Sequence, residues 1–196
     1  MNEMTKFENC IPVGVSGRHV HLSRGDLDAL FGAGYELTKK KDLSQPGQYA
    51  SEETVDIMTT KGAFTRVRIL GPIRKETQIE LALTDTVKLG ITPPIRDSGN
   101  LEGSPGVVLV GPNGTITLEK GAIVALRHIH MTPADAAHFG VRDKDMVSVE
   151  CGGERAMTMG QVLVRVNEQF MLEMHVDTDE GNASCLKTGA KVSLIR

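Results

Sequence analysis

The sequence predicts a mainly β protein, two duplicated β-barrel domains with short capping α-helices. Three observations carry this. Apolar residues fall in short alternating runs divided by turn residues, few stretches have helical character, and one motif occurs twice. A chain of 196 residues accommodates two domains of about 100 residues each.

Strands are expected at 63–70 (AFTRVRIL), 78–83 (QIELAL), 107–110, 115–118, 146–150, 162–166, 170–176 (FMLEMHV) and 191–195. Successive side chains on a strand point to opposite faces, so each run offers one apolar face to a core. Turn residues separate them: Gly71-Pro72, GPNG at 111–114 and Gly152-Gly153. Helices are expected at 24–31 and 133–139, with shorter candidates at 85–89 and 180–186. Ser23 and Thr132 suit the N-cap, where a hydroxyl accepts a first-turn N–H, and Pro133 suits the first helical position.

Arg18-His-Val-His-Leu-Ser and Arg127-His-Ile-His-Met-Thr match position by position. Each leads to an acidic residue (Asp26, Asp135) and an apolar-glycine helix end (Phe31-Gly32, Phe139-Gly140). The repeat predicts domains at 1–95 and 96–196, with the linker in the Gly/Pro-rich stretch 92–106 (TPPIRDSGNLEGSPG).

Composition excludes several classes. A net charge of −3 and a pI near 6.1 argue against nucleic-acid binding. Aromatic residues are 4% with no Trp, which disfavours a base-stacking platform or an aromatic sugar cleft. No apolar run reaches the length of a membrane span, and MNEMTKFENC lacks a signal-peptide core, so a reducing cytoplasm is expected. The residues before Ile11 also show no helical stripe and are too short for a targeting helix. Cys10, Cys151 and Cys185 form no CxxC pair and read as packing residues; Cys185 is the strongest candidate for a nucleophile among them. The nine Met residues read as core filler.

The chemistry lies in the histidines. Four of six stand in two HxH pairs. Residues i and i+2 of a strand share a face, so His19 with His21, and His128 with His130, can each offer two imidazoles to one ion. A catalytic zinc takes three protein ligands and keeps an open position. Glu80 and His175 lie on apolar-patterned strands, where burying a polar side chain requires a partner, and either suits a third ligand. His138, inside the 133–139 helix, reads as a surface or packing residue. Arg18 and Arg127 precede the pairs, face away from the ligands and read as structural charge partners. Arg74, six residues before Glu80 and expected on its strand, could clamp phosphate bidentately; Arg96 is a second anion-site candidate.

Five ordered motifs extend over almost the whole chain: IPVGVSGRHVHLS at 11–23, GPIRKETQIELALTD at 71–85, PPIRDSGNLEGSPG at 93–106, RHIHMTPADA at 127–136 and LEMHVDTDEGNA at 172–183. Together they resemble the PduL-type phosphate propanoyltransferases, phosphotransacylases associated with bacterial microcompartments. The resemblance implies two β-barrels with a two-zinc site between them, interconverting a short-chain acyl-CoA plus phosphate with acyl phosphate plus CoA. It assigns one Zn2+ to His19, His21 and Glu80, with a position for the CoA sulfur. It assigns the other to His128, His130 and His175, with positions for water or phosphate. Arg74 matches the family's phosphate-contacting, catalytic arginine, and CoA contacts carry over to Val15, Ser16, Gly17, Tyr49 and Asn182. No nucleophile–base arrangement is visible, which favours direct attack by phosphate in a ternary complex over an acyl-enzyme. The implied partners are CoA, acyl-CoA and phosphate, with no nucleic acid or membrane; a homodimer and contacts with microcompartment shell or lumen enzymes stay open. The alternative enzyme is a dinuclear metal hydrolase of a thioester or phosphate ester, and the non-enzymatic alternative a metal-storing module of a shell. Acetyl and propanoyl differ by one methylene, worth about 1–3 kcal/mol, so the sequence does not choose the acyl chain; bacterial cytoplasm and microcompartment lumen are both compatible locations.

Overall fold

The computed structural model describes residues 9–195. The N-terminal stretch read for a signal or targeting helix lies, up to residue 8, outside them. The first part of the chain forms β1 (Cys10–Ser16), β2 (His19–His21), α1 (Arg24–Phe31), β3 (Lys39–Asp42), β4 (Tyr49–Met58), β5 (Ala63–Gly71), β6 (Gln78–Glu80) and α2 (Leu83–Leu89). There follow β7 (Ile95–Arg96), β8 (Val108–Val110), β9 (Thr115–Thr117) and β10 (Ala122–Ala125). The rest forms β11 (His128–Met131), α3 (Pro133–Phe139), β12 (Met146–Cys151), β13 (Met157–Val166), β14 (Glu173–Asp177), α4 (Thr178–Ser184) and β15 (Lys191–Ile195). The protein is mainly β, as expected, with 43% strand against 16% helix.

Two compact units share the chain. The barrel unit takes the chain up to Ser16, Ser44–Pro46 and everything from Leu126; the sheet unit takes Gly17–Leu43 and Gly47–Ala125. In the barrel unit six strands close in the order β1-β14-β11-β13-β12-β15. Its core packs Ile11, Val13, Ile129, Met131, Val164 and Met174. The sheet unit is a nine-stranded, curled half-barrel in the order β7-β10-β6-β2-β5-β4-β8-β9, with β3 on β4. Val20, Leu22, Ile57, Ile69 and Ile79 lead its separate core.

The two units repeat one pattern. An HxH strand lies between a parallel neighbour (β5 or β13) and an antiparallel one (β6 or β14). Closure differs. Strands β1 and β15 pair across the seam of the barrel, Ile11 opposite Val192. The strands in the same positions of the sheet unit, β10 and β8, pair instead with β7 and β9, which leaves that sheet open.

This pairing divides the chain differently from the contiguous split expected at 95/96. The strand before each HxH strand joins the other repeat's unit: β1 pairs with β14, and β10 pairs with β6, both in parallel. The stretch 92–106 is no linker but part of the sheet unit, where β7 pairs with β10. Its glycines and prolines build a loop.

Helices α1 and α3 begin as the sequence predicts. Ser23 accepts the N–H of Asp26 and Thr132 that of Asp135, Pro133 opens α3, and Gly32 and Gly140 cap the C-termini. α4 starts and ends earlier than expected, because Asp177 and Glu180 form its N-terminal capping box. The methionines are not uniformly core filler: Met131, Met159 and Met174 are buried, but Met58, Met146, Met157 and Met171 are exposed.

Candidate functional site

Alternation on the strands decides which side chains converge. In the sheet unit Val20 and Ile79 enter the core, which turns His19, His21, Gln78 and Glu80 to the opposite face. Across β2 and β6, His19 stands opposite Glu80 and His21 opposite Gln78. The His19 Nε2 atom lies 3.4 Å from Glu80 Oε2, and His21 Nε2 lies 3.8 Å from Oε1. Gly17 accepts the His19 Nδ1–H at 2.9 Å and Leu70 the His21 Nδ1–H at 3.2 Å, so both Nε2 lone pairs face the carboxylate.

The barrel unit builds the counterpart. Ile129 and Met174 enter the core, and His128 stands opposite His175 across β11 and β14. Leu126 accepts the His128 Nδ1–H at 2.8 Å, matching the role of Gly17. The Nε2 atoms of His128 and His130 then face each other at 3.1 Å. Within each of the two groups the three donor atoms lie within 4.8 Å of one another, so each could hold a metal ion.

Electrostatics fit a cation in the first group. Burial works against ionising Glu80, but His19 beside it outweighs this and holds the carboxyl well below the usual range. Burial likewise opposes charge on His19, yet Glu80 raises its pKa overall. Burial, with His19 and Arg74 nearby, pushes His21 down to about 3, leaving a neutral imidazole donor. A half-buried carboxylate kept ionised opposite two imidazoles, each with its Nδ1–H tied to a carbonyl, is a donor set that suits zinc.

Arg18 and Arg127 are the charge partners the sequence suggests. Arg18 Nη2 reaches Asp85 Oδ1 at 2.6 Å and its guanidinium stacks 4.2 Å from the Phe64 ring centroid. Arg127 Nε reaches Glu180 Oε1 at 2.8 Å. Asp85 and Glu180 occupy the same position, the third residue of the helix that follows each third donor.

Arg74 does not enter β6 as expected. It precedes that strand, its backbone N–H donating to Leu22 at 2.9 Å in a bridge beside β2. The side chain still reaches the first group, because Nη1 donates to Ser98 Oγ at 3.1 Å and Ser98 Oγ donates to Glu80 Oε1 at 3.1 Å. Arg96 fastens its own loop through Asn100 and the Glu102 carbonyl. His138 is exposed on α3, beside Phe139.

The residues carried over for CoA lie in different surroundings. In the barrel unit, Val15 packs against the core and donates its N–H to Thr188 at 3.1 Å, and Ser16 pairs with Asp177. Asn182 is exposed on α4, where its carbonyl accepts Arg155 at 3.4 Å. In the sheet unit, Gly17 supports His19, and Tyr49 lays its ring on Gly71, where any Cβ would collide with it. Among the cysteines Cys151 is buried in the barrel core, Cys10 is half-buried and Cys185 is exposed at the end of α4. None belongs to either three-residue group.

Sequence reasoning missed Gln78, Ser98, Ser44, Glu173 and Arg165. Arg165 stands beside His130 in the β11–β13 register, with its guanidinium 5.8 Å from the Phe170 ring centroid. The signal for Gln78 and Glu173 is their place two residues before the third donor, on the same strand face.

A protein-family model described as phosphate propanoyltransferase matches residues 12–187. A phosphate propanoyltransferase of Thermotoga maritima is 57% identical over 194 residues, covering 98% of this chain and 92% of its own. Those of Rhodopseudomonas palustris and Clostridioides difficile are 52% and 50% identical, covering 95% and 97% of this chain and 82% and 91% of their own. The protein is an acyltransferase. It belongs to the phosphate propanoyltransferase family.

Proposed function

We propose that this chain interconverts a short-chain acyl-CoA plus phosphate with acyl phosphate plus CoA, using two zinc ions, one in each three-residue group. The observation that carries the reading is the duplicated donor geometry. In each unit two imidazoles from one strand meet a third donor directly opposite, on its antiparallel neighbour. Family membership supports the acyl-transfer chemistry, and the donor sets support zinc.

Bound zinc would polarise the thioester carbonyl and offset the charge of the departing sulfur. The chain's own residues divide the remaining work. His128, His130 and His175 form a neutral donor set, which leaves a dication's charge intact for an anion such as phosphate. Glu80 brings one negative charge into the other set, which suits the CoA sulfur implied by the family resemblance. Arg74, steadied by Ser98, orients phosphate with the planar fork of its guanidinium. A phosphate oxygen attacks the thioester carbon, the carbon–sulfur bond breaks, and CoA leaves as thiolate. Each cysteine lies outside the donor groups, and burial pushes the Cys151 thiol up, which supports direct attack without an acyl-enzyme. CoA contacts at Val15, Ser16, Gly17, Tyr49 and Asn182, and residence in the bacterial cytoplasm or a microcompartment, belong to the same proposal.

Product analysis tests the reaction. Acyl-CoA supplied with phosphate should yield acyl phosphate and free CoA in equal amounts. Free acid with no acyl phosphate would point to hydrolysis and overturn the transfer reading.

A further inference from the structure

We propose that Arg165 is a second phosphate-binding residue, holding the substrate's phosphoryl group beside the three-histidine group of the barrel unit, with Phe170 as the residue that positions it. The inference rests on the reading of that group as a metal site open to an anion. Ile129 and Val164 pair across β11 and β13, and both are fully buried in the barrel core. Their successors, His130 and Arg165, also pair, and alternation turns both side chains to the opposite face. Arg165 therefore stands beside a donor of the group.

An aromatic ring joins the two. Phe170 meets His130 edge to face, with ring centroids 4.4 Å apart, and the Arg165 guanidinium carbon lies 5.8 Å from the Phe170 centroid. The ring attracts the cation through its π face and takes none of its N–H donors. Phe170 is itself held on both sides. Its N–H donates to the Asn167 carbonyl at 3.1 Å. The next residue, Met171, donates its N–H to Gln45 Oε1 at 3.2 Å, and its carbonyl accepts Gln45 Nε2 at 2.9 Å. Gln45 is buried. A guanidinium steadied in this way loses less freedom when it takes an anion.

The sheet unit builds the same strand pattern without this arginine. There Val20 pairs with Ile69, which puts Leu70 at the place beside His21 that Arg165 takes beside His130. The arginine that β5 does carry, Arg68, stands beside His19 and gives Nη1 to the Ser51 and Glu52 carbonyls at 2.9 and 2.7 Å. Its counterpart beside His128 is Leu163. Arg165 thus serves something the barrel unit does alone. The barrel group is also the one with three imidazoles, whereas Glu80 brings a carboxylate to the other. On the far side of His130, Glu173 accepts the Ser44 hydroxyl. A guanidinium next to a dication on three neutral ligands suits an anion with several oxygens, and its planar fork fits phosphate.

The test is calorimetric titration of inorganic phosphate, and separately of CoA, into the zinc-loaded full chain, with zinc content measured for every variant. Arg165→Ala should weaken phosphate binding roughly ten- to a hundredfold while zinc content and CoA affinity are retained. In initial rates the loss should fall on KM for phosphate and leave KM for acyl-CoA unchanged. Arg165→Lys keeps the charge without the fork and should fall between. Phe170→Leu should weaken phosphate roughly two- to fivefold with zinc unchanged. Arg142→Ala removes an exposed charge from the same unit and should change nothing. A folded Arg165→Ala with unchanged phosphate affinity, with lost zinc, or with weakened CoA binding instead overturns the inference. Should Arg165→Ala not fold, unchanged phosphate affinity in both Arg165→Lys and Arg165→Gln overturns it equally, as does a wild type that binds no phosphate. If wild type takes up no zinc or forms no acyl phosphate, the proposed function fails; phosphate affinities of wild type and Arg165→Ala still decide whether Arg165 holds phosphate.

Discussion

Arg127 Nε donates to Glu180 Oε1 at 2.8 Å, tying the residue before one histidine pair to the first turn of the helix after its third donor. Arg18 and Asp85 repeat the tie in the sheet unit. Asp85 also accepts the Ala82 N–H at 3.2 Å and is buried. Asp85→Ala removes both bonds and leaves a cation without its partner, so urea unfolding should show a loss of about 1–3 kcal/mol. Arg127→Ala should cost less, because Glu180 keeps its bond from the Asp177 N–H at 2.9 Å. An unchanged midpoint for Asp85→Ala would deny the tie a structural role.

Arg74→Lys keeps a positive charge but loses the planar fork that orients phosphate. Zinc content and CoA affinity should be retained, while turnover falls roughly ten- to a hundredfold, equivalent to about 1.5–3 kcal/mol. Initial rates against phosphate concentration check this. Unchanged phosphate kinetics, or lost zinc, would assign Arg74 another role.

The histidine pairs were legible in the sequence because HxH on a strand has only one geometric meaning, a shared face, and because the motif recurs with its caps and helix. Glu80 and His175 were legible as polar residues in apolar strands. Gln78 and Glu173 were not, since the Gly99 N–H and the Ser44 hydroxyl that hold them come from loops distant in sequence. The unit boundary was illegible for a related reason. Exchange of β1 and β10 is a matter of pairing partners, whereas Gly and Pro in 92–106 mark turns, which occur within domains as readily as between them. Arg74 was assigned to β6 from even spacing, but the strand begins only at Gln78.

A chain with Cys10, Cys151 and Cys185 all replaced by Ala should retain measurable turnover, because the proposed transfer uses no protein thiol. Loss of activity in the folded triple variant would favour an acyl-enzyme. Cys185 has a separate prediction. It ends α4 in the left-handed region at φ 54°, where a side chain is strained, so Cys185→Gly should stabilise by about 1 kcal/mol in thermal or urea unfolding.

Acid should weaken the sheet unit through Glu53. Its Oε1 accepts the Tyr35 hydroxyl and the Thr38 N–H, both at 3.0 Å, and the side chain is buried. Burial alone would raise the carboxyl's pKa, but the Thr38 and Tyr35 bonds outweigh it and bring the value below that of an ordinary glutamate. The native state thus favours the ionised form. That contribution is complete above the ordinary glutamate range and disappears as pH falls through the lower folded-state value. The stability difference between wild type and Glu53→Gln should be constant near neutral pH and narrow in acid. A difference that persists unchanged to pH 3 would contradict this.

Metal content per chain tests the account most directly. Elemental analysis of protein purified without added metal should find about two zinc equivalents in wild type, and about one each in His19→Ala and His128→Ala. Chelation should abolish acyl phosphate formation and zinc should restore it. A folded wild-type chain that forms acyl phosphate at full rate with no bound transition metal would contradict the account.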